Sequence, residues 1–313
     1  MKILRRHCEI DRSTGRRAGA TACVIFLLSG CDRGILDPVG PVGHAEKMIL
    51  INSTAIMLAI IIPTIIATLA FAWWFRAGNR KAKYRPDWEY SGAVELVVWS
   101  IPAMTILLLG GIAWIGSHDL DPTKPLASKV KPVNVQVVSL DWKWLFIYPD
   151  QGIATVNQLV VPAGVPVHYS LTSATVWNVF FVPQFGTMIY TMPRMTTQLN
   201  LQADRRGIYD GLSAHYSGDG FSGMRFKVHA VAPQEFAAWI QSTRGSGPPL
   251  NADTYEELVE PSSSVKPMQF GAVAPRLFES IVANRAPSPV APQTTPPSMH
   301  VEPKPPLEPA NAG

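Results

Sequence analysis

The hydrophobic pattern of this chain begins with two continuous apolar stretches, at residues 48–75 and 93–115. Each is longer than the roughly 20 residues that a helix needs to cross the hydrocarbon core of a membrane. Pro63 and Pro102 lie inside them, which membrane helices tolerate when neighbouring groups take over the freed backbone carbonyl. Length and apolar content together favour membrane helices over buried helices of a soluble core, and they predict a membrane hairpin over residues 31–120.

After the hairpin the pattern changes to strict alternation of apolar and polar residues, as in VNVQVVSL and TTQLNLQA. This alternation is typical of strands with one buried face. About eight short segments of this kind, separated by Gly, Pro and Asp turns, predict a β-sandwich or Greek-key barrel over residues 121–232.

The pattern changes again after the predicted strands. Pro233 suits the first turn of a helix, and Phe236 and Trp239 fall on one helical face, so we expect a short-helix segment over residues 233–285. Residues 286–313 are rich in proline and almost free of large apolar side chains. They predict a disordered tail.

The first 30 residues combine basic side chains with a short apolar run, the pattern of a cleaved signal peptide. They lead into LSGC, Leu28 to Cys31, which resembles the bacterial lipobox, whose cysteine is lipidated and becomes the first residue of the mature chain. An ordinary signal peptide with a chance cysteine is the alternative. All three cysteines lie at or before Cys31, so the rest of the chain offers neither a disulfide framework nor a thiolate metal ligand.

Charge bears on orientation and partners. The turn between the apolar stretches, RAGNRKAKYRPDWEY, holds five basic residues, so the positive-inside rule predicts a cytoplasmic turn with both chain ends outside. The formal charge of +4 is modest and the basic residues form no long run. Nucleic acid is therefore not an expected partner.

An ordered series of motifs follows the hairpin: DWKWLFIYP, QGIATVNQ, YDGLSA, YSG and GFSGM. Together with the lipoprotein signal and hairpin, it resembles subunit II of the haem-copper terminal oxidases, and the cytochrome bo type ubiquinol oxidases in particular, from about Cys31 to Arg285. The resemblance implies a cupredoxin fold for the β-domain. It also implies a proton-pumping ubiquinol oxidase of the bacterial inner membrane, with the β-domain on the periplasmic side.

The same resemblance implies the partners and cofactors of the chain. The haems and one copper would lie in subunit I, and subunits III and IV, membrane lipid and, through the complex, ubiquinol would be further partners. Cytochrome c would not be one, and this chain would carry no cofactor of its own.

In the cytochrome c oxidising branch of that family, subunit II binds a binuclear copper centre. Its ligands are an early histidine and a loop of the form C-x-E-x-C-x-x-x-H-x-x-M. Here both cysteine positions hold serine, Ser213 and Ser217, and the early histidine position holds Asn178. The positions of the glutamate, the second histidine and the methionine hold, in that order, His215, Phe221 and Met224.

Only the methionine of that copper pattern is retained. A mixed-valence copper pair needs soft bridging thiolates, and a protonated serine hydroxyl is a hard and poor substitute. We therefore expect a loop without metal that keeps its shape through glycines and serine hydrogen bonds. A weak mononuclear copper site formed by His215 and Met224 is the alternative.

Two further features carry hypotheses. Glu95 lies just inside the cytoplasmic end of the second apolar stretch, where an ionisable group suggests function. The resemblance implies that it lies at the entrance of the K pathway for proton uptake in subunit I; a carboxylate paired with a loop cation is the alternative. Trp142 and Trp144 are expected to pack the β-domain against subunit I.

Two other functions compete with this interpretation. A cytochrome c oxidase subunit with an aberrant copper centre is disfavoured by the missing cysteines and by the lack of an evident acidic docking patch. A free-standing membrane lipoprotein that assists assembly or carries copper is disfavoured because no cluster of His, Cys or Met ligands is evident.

Overall fold

The computed structural model describes residues 34–83 and 85–284. Within them a helical hairpin comes first, a β-domain follows, and a C-terminal segment packs on that domain. The predicted signal peptide at 1–30, the lipidation candidate Cys31 and the predicted tail at 286–313 lie outside the described residues.

Two long helices form the hairpin, α1 (Pro41–Trp74) and α2 (Gly92–Asp119). Both are long and apolar enough to cross a membrane, and none of the residues in their apolar windows is buried. A helix of this length in α1 spans about 50 Å, well beyond the hydrocarbon core. The helices therefore extend past the predicted stretches at their β-domain ends, where Val42 packs into the core of that domain.

The β-domain consists of two packed sheets. One has the strand order β12-β3-β2-β1-β5-β8, the other β4-β10-β9-β6-β7, and β11 pairs with β13. The strands are β1 (Val133–Leu140), β2 (Lys143–Tyr148), β3 (Ile153–Val156), β4 (Gln158–Pro162), β5 (Pro166–Ser173), β6 (Asn178–Phe181), β7 (Ile189–Thr191), β8 (Thr197–Gln202), β9 (Gly207–Ser213), β10 (Arg225–Val231), β11 (Pro249–Leu250), β12 (Met268–Phe270) and β13 (Ala272–Val273).

The connections between these strands cross from sheet to sheet. Strand β1 runs parallel to β5, and β4 parallel to β10, whereas β2 and β9 pair antiparallel with both of their neighbours. Parallel neighbours that are distant in sequence require crossovers, as in Greek-key sandwiches. The predicted all-β, cupredoxin-like fold is confirmed.

Strand β2 shows how the core is built. All six of its residues are buried, although a half-exposed strand would alternate. Trp144, Phe146 and Tyr148 point into the core between the sheets. Leu145 and Ile147 point to the opposite face, where they pack into a second apolar cluster. The six-stranded sheet is therefore covered on both faces.

The C-terminal segment covers the second face of the six-stranded sheet. The sequence predicts only helices over 233–285, and the structure contains α3 (Pro233–Ser246), α4 (Ala252–Val259) and α5 (Leu277–Val282). It also contains the short strands β11 to β13, and β12 pairs with β3 at the edge of the large sheet. Strands of two or three residues are too short to give a visible period-two pattern.

A buried lysine ties this segment to the β-domain. Lys143 is 2% exposed, and its ammonium donates hydrogen bonds to the Glu260 carbonyl, at 2.6 Å, and to the Ser262 hydroxyl. Burial lowers the pKa of Lys143, and the charges of Asp141 and Glu260 oppose that shift. The backbone between α4 and β12 is thus fixed by a charge-assisted hydrogen bond.

The start of α1 is fixed to the β-domain by backbone contacts. The Val39 amide donates to the Gln184 carbonyl at 2.7 Å, and the Val39 carbonyl accepts from the Asp204 amide at 2.8 Å. A Cβ at Gly40 would lie 2.0 Å from the carbonyl oxygen of Gln202. Only glycine fits this approach, and the contact sets how the β-domain sits on the hairpin.

Candidate functional site

The loop between β9 and β10 lies at one end of the five-stranded sheet. Its two ends meet where the Ser213 amide donates to the Met224 carbonyl at 3.1 Å. A single 3₁₀ turn, Phe221–Gly223, lies within the loop. Strand β6 lies next to β9 and brings Asn178 to the same place. The sheet therefore unites positions that are 35 residues apart.

Ser213 and Asn178 pair directly. The Ser213 hydroxyl donates to Asn178 Oδ1 at 3.0 Å, and the two residues are 3% and 1% exposed. The same hydroxyl lies 3.3 Å from the His215 carbonyl. A buried pair of neutral polar side chains is stable because each satisfies the other. The two residues that the sequence resemblance predicts to replace metal ligands are thus linked by a hydrogen bond.

Ser217 contributes to the loop in a different way. Its hydroxyl is buried and has no hydrogen-bond partner among the described residues, whereas its carbonyl accepts from Trp142 Nε1 at 2.9 Å. The expectation that serine hydroxyls hold the loop is thus correct for Ser213 and wrong for Ser217. At Ser217 the backbone carbonyl, and not the hydroxyl, makes the hydrogen bond, and its donor is Trp142.

Glycines complete the shape of the loop, as the sequence predicts. The Trp142 ring lies over Gly220, where a Cβ would be 2.3 Å from a ring carbon. Gly218 has φ +102°, a conformation that side chains other than glycine rarely adopt. The tryptophan thus occupies space that a side chain on the loop would need.

The potential ligands that remain do not supply the donors of a binuclear copper centre. Met224 is 1% exposed and its side chain belongs to the core between the sheets. His215 is exposed, and its ring lies 5.8 Å from that of Tyr190. Phe221 lies against Tyr216. Within 34–83 and 85–284 no group of three His, Cys, Asp or Glu residues is placed to hold a metal. This donor set, one exposed imidazole and one core thioether, does not fit a binuclear copper centre.

Of the two tryptophans, Trp144 differs from expectation, and the expected contact of Trp142 with subunit I stays a prediction. Trp144 is 0% exposed and packs inside the β-domain, so it cannot contact another subunit. The reason is the pleat of β2, which turns alternate side chains into the core. Trp142 precedes the strand with φ 64° and is only partly buried against the loop.

A pair of serine variants tests the hydrogen bond in the loop. Ser213→Ala leaves the buried Asn178 carbonyl oxygen without its hydroxyl donor, so we expect the free energy of unfolding to fall by about 1–3 kcal/mol. Ser217→Ala removes a hydroxyl that has no partner, and its effect should be close to zero. Denaturant unfolding of this chain in the purified complex, followed by pulse proteolysis, measures both. Equal effects of the two substitutions would contradict the pairing.

An apolar surface patch beside the loop was not anticipated from the sequence. Trp177 is 55% exposed and its ring lies edge-on to Tyr190, at 6.2 Å. Large exposed apolar patches mark interaction surfaces. The sequence signal for this patch is the aromatic residues in the loops at the strand ends. The alternation of apolar and polar residues along strands does not detect such loop residues. The patch is formed by the rings of Trp177 and Tyr190, and the exposed apolar side chains near them in sequence or on the loop are Val176, Met188, Met195 and Tyr216.

Glu95 lies in the first turn of α2, at the far end of the hairpin from the β-domain. Its amide donates to the Ser91 carbonyl at 3.0 Å, and its side chain is exposed. A carboxylate in the first turn of a helix is stabilised by the unpaired amides there. None of the ion pairs among the described residues includes Glu95.

Comparison with known families gives two matches. Residues 150–231 match the family described as cytochrome c oxidase subunit II, periplasmic domain. Residues 244–285 match the COX aromatic-rich motif, which coincides with most of the C-terminal segment. The first match thus covers most of the β-domain, and the second covers most of the C-terminal segment that packs on it.

Individual relatives extend over more of the chain. The cytochrome bo(3) ubiquinol oxidase subunit 2 of Pseudomonas aeruginosa is 50% identical over 257 residues, covering 82% of this chain and 78% of the relative. The ubiquinol oxidase subunit 2 of Acetobacter aceti is 48% identical over 261 residues, covering 82% and 84%. A crystal structure of the periplasmic domain of cytochrome oxidase subunit II from Bradyrhizobium japonicum is 23% identical, with a TM-score of 0.35, and covers 37% of this chain and 96% of that one. The alignments with the two ubiquinol oxidase subunits thus span most of both partners.

Proposed function

This chain belongs to the family of ubiquinol oxidase subunit 2 proteins, and we propose that it is a subunit of the oxidase that carries no electrons itself. It is part of an oxidoreductase complex of the haem-copper type that oxidises ubiquinol, and its hairpin and periplasmic domain fit an inner-membrane subunit. Ubiquinone and water are the products, and the reaction is coupled to proton translocation.

The observation that carries this proposal is the hydrogen bond between Ser213 and Asn178. An electron relay on this chain would need soft ligands at these positions, and the two side chains satisfy each other instead. Ubiquinol is soluble in the membrane, so it delivers electrons directly to haem in subunit I. The haems and the copper that carry out the reaction belong to subunit I, and cytochrome c is not a substrate.

Without a redox role, the β-domain serves as a periplasmic cap on subunit I. The patch around Trp177 and Tyr190 supports this role because exposed aromatic side chains are enriched at the centres of interfaces. The exposed apolar faces of α1 and α2 also pack on subunit I, and the rest of their apolar surface contacts lipid. Subunits III and IV complete the assembly.

The chain is oriented with its basic turn in the cytoplasm. The five basic residues between α1 and α2 support this orientation. Cys31 carries the lipid anchor on the periplasmic side, three positions before the first described residue. The contacts of Val39 and Gly40 hold the residues just before α1 against the β-domain.

Glu95 acts as a proton collector at the entrance of the K pathway in subunit I. Glu95→Gln removes the titratable carboxylate but keeps its size, so we expect turnover with ubiquinol to slow about tenfold. This is below the roughly 10²–10⁴-fold effect of a group that transfers a proton in a transition state, because water can partly replace a collector. Oxygen uptake by the purified complex measures the effect.

The matched control for this prediction is Glu89→Gln, which changes charge equally in the loop before α2 and should leave turnover unchanged. Turnover in Glu95→Gln equal to that of wild type would contradict the assigned role. Slowing of both variants to the same extent would assign the effect to loop charge.

The proposed function is tested by purifying the complex through a tag on this chain and measuring oxygen uptake. Haem in the purified material and uptake with ubiquinol alone are expected. Uptake with reduced cytochrome c, together with a near-infrared absorption band, would favour the cytochrome c oxidase with an aberrant copper centre. Absence of haem would favour the free-standing lipoprotein.

A further inference from the structure

The turn between α1 and α2 lines an open cavity of about 890 Å³. Four cationic side chains line it: Arg76, Lys81, Lys83 and Arg85. Among the described residues no carboxylate lines the cavity, although Asp87 and Glu89 belong to the same turn. None of the ion pairs among the described residues includes any of the four cations. The cavity therefore presents uncompensated positive charge.

The turn has a defined geometry at this cavity. The Arg76 guanidinium donates to the Trp73 carbonyl at 3.1 Å and lies 4.9 Å from the Trp73 ring centre. Asn79 Nδ2 donates to the Trp74 carbonyl at 2.6 Å, and Asn79 Oδ1 accepts from the Lys81 amide at 3.1 Å. These contacts cap the end of α1 and hold Arg76 and Lys81 on the cavity wall.

Aromatic side chains line the same cavity. Trp74 and Trp88 are 45% and 61% exposed, and Phe75 is 59% exposed. Trp74 ends α1, and Phe75 and Trp88 belong to the turn between the two membrane-span candidates. Tryptophan at the ends of membrane helices is enriched at the depth of the lipid headgroups. A ligand of this cavity would thus meet both cationic side chains and aromatic rings.

We propose that this cavity binds the phosphate headgroup of an anionic phospholipid. The cations contact the phosphate oxygens, and the aromatic rings contact the glycerol and the first carbons of the acyl chains. A soluble phosphate would use the cations but not the aromatic wall. Binding requires only that the turn lies at the membrane surface, and it holds for either orientation of the hairpin. The proposal therefore goes beyond the assignment of the chain as a non-redox subunit.

The chain offers a matched pair of arginines for the test. Arg85 lines the cavity, whereas Arg80 lies in the same turn and does not. Arg85→Gln and Arg80→Gln therefore change charge and side-chain type identically. Lys83→Gln is a second variant of the wall. The complex is purified from each strain, delipidated and titrated with phosphatidylglycerol, phosphatidylcholine or inorganic phosphate, and bound lipid is counted by native mass spectrometry.

Wild type and Arg80→Gln should bind phosphatidylglycerol equally and in preference to phosphatidylcholine. Arg85→Gln and Lys83→Gln should each bind it about fivefold more weakly, as expected for one basic residue at a membrane surface. Equal weakening by Arg80→Gln, or equal binding of both lipids, would overturn the proposal. Displacement of the lipid by millimolar inorganic phosphate would indicate a soluble anion site instead. Loss of subunit I from Arg85→Gln would indicate that the turn binds protein, and it too would overturn the proposal.

Discussion

Replacing Trp144 with alanine is expected to lower the free energy of unfolding of the β-domain by about 3–5 kcal/mol. The side chain is 0% exposed, and its ring lies edge-on to Phe180 and Phe226, at 5.6 and 5.7 Å between ring centres. These three rings join the two sheets. Truncation would leave a cavity that the surrounding strands cannot close, because each is fixed by neighbours in its own sheet.

Two controls separate packing from other effects. Trp144 Nε1 has no hydrogen-bond partner among the described residues, so Trp144→Phe loses volume but no hydrogen bond and should cost clearly less than alanine. Trp142→Ala removes a partly buried ring outside the core and should also cost less. Denaturant midpoints for this chain, obtained by pulse proteolysis in the purified complex, give the comparison. A larger loss for Trp142→Ala than for Trp144→Ala would contradict the described core.

Tyr148→Phe is expected to cost about 2–4 kcal/mol although it removes a single oxygen atom. The Tyr148 hydroxyl donates to the Val160 carbonyl at 2.9 Å and accepts from the Val160 amide at 2.8 Å. Val160 belongs to β4, which has β10 on one side and, within the described part of the chain, no strand on the other. The Tyr148 hydroxyl therefore makes the two hydrogen bonds that a neighbouring strand would otherwise make. Phenylalanine at this position would leave the buried amide and carbonyl of Val160 unpaired.

Burial raises the pKa of the Tyr148 hydroxyl well above its usual range. The group thus stays protonated at physiological pH and can donate and accept at once. Tyr209→Phe is the control: the Tyr209 hydroxyl donates at 2.8 Å to the carbonyl of Arg205, an exposed residue, so water can replace it and a loss of about 1 kcal/mol is expected. Unfolding curves from the same assay are compared. Equal losses would mean that Val160 has another partner.

The hairpin was predictable because the membrane requirement is local: about 20 apolar residues in a row suffice. The ends of the helices were not. Helix α1 begins at Pro41 rather than near Met48, since its first turns are held by the β-domain through Val42 and Gly43. Contacts with residues more than a hundred positions away leave no mark on a local pattern.

The same reason explains the C-terminal segment. The buried residues of β2 alternate between two cores, but the second core exists only because α4 and α5 cover the sheet. Tyr255, Phe270 and Phe278 are buried there. Their apolar character was visible in the sequence, whereas the surface they cover was not.

In the loop between β9 and β10, residue chemistry was predictable and pairing was not. The absence of thiols follows from the positions of the cysteines. That Ser213 pairs with Asn178, whereas the Ser217 hydroxyl has no partner among the described residues, depends on which strands become neighbours in the sheet. The exposed aromatic patch needed the same three-dimensional information.

Stopped-flow reduction of the haems with ubiquinol measures whether any electron passes through this chain. The complex would carry His215→Ala together with Met224→Leu, a swap that conserves core volume at small cost. We expect the same rate of haem reduction and the same copper content as in wild type. A slower reduction together with a loss of copper from the complex would contradict this expectation, because both losses require a metal relay in this loop.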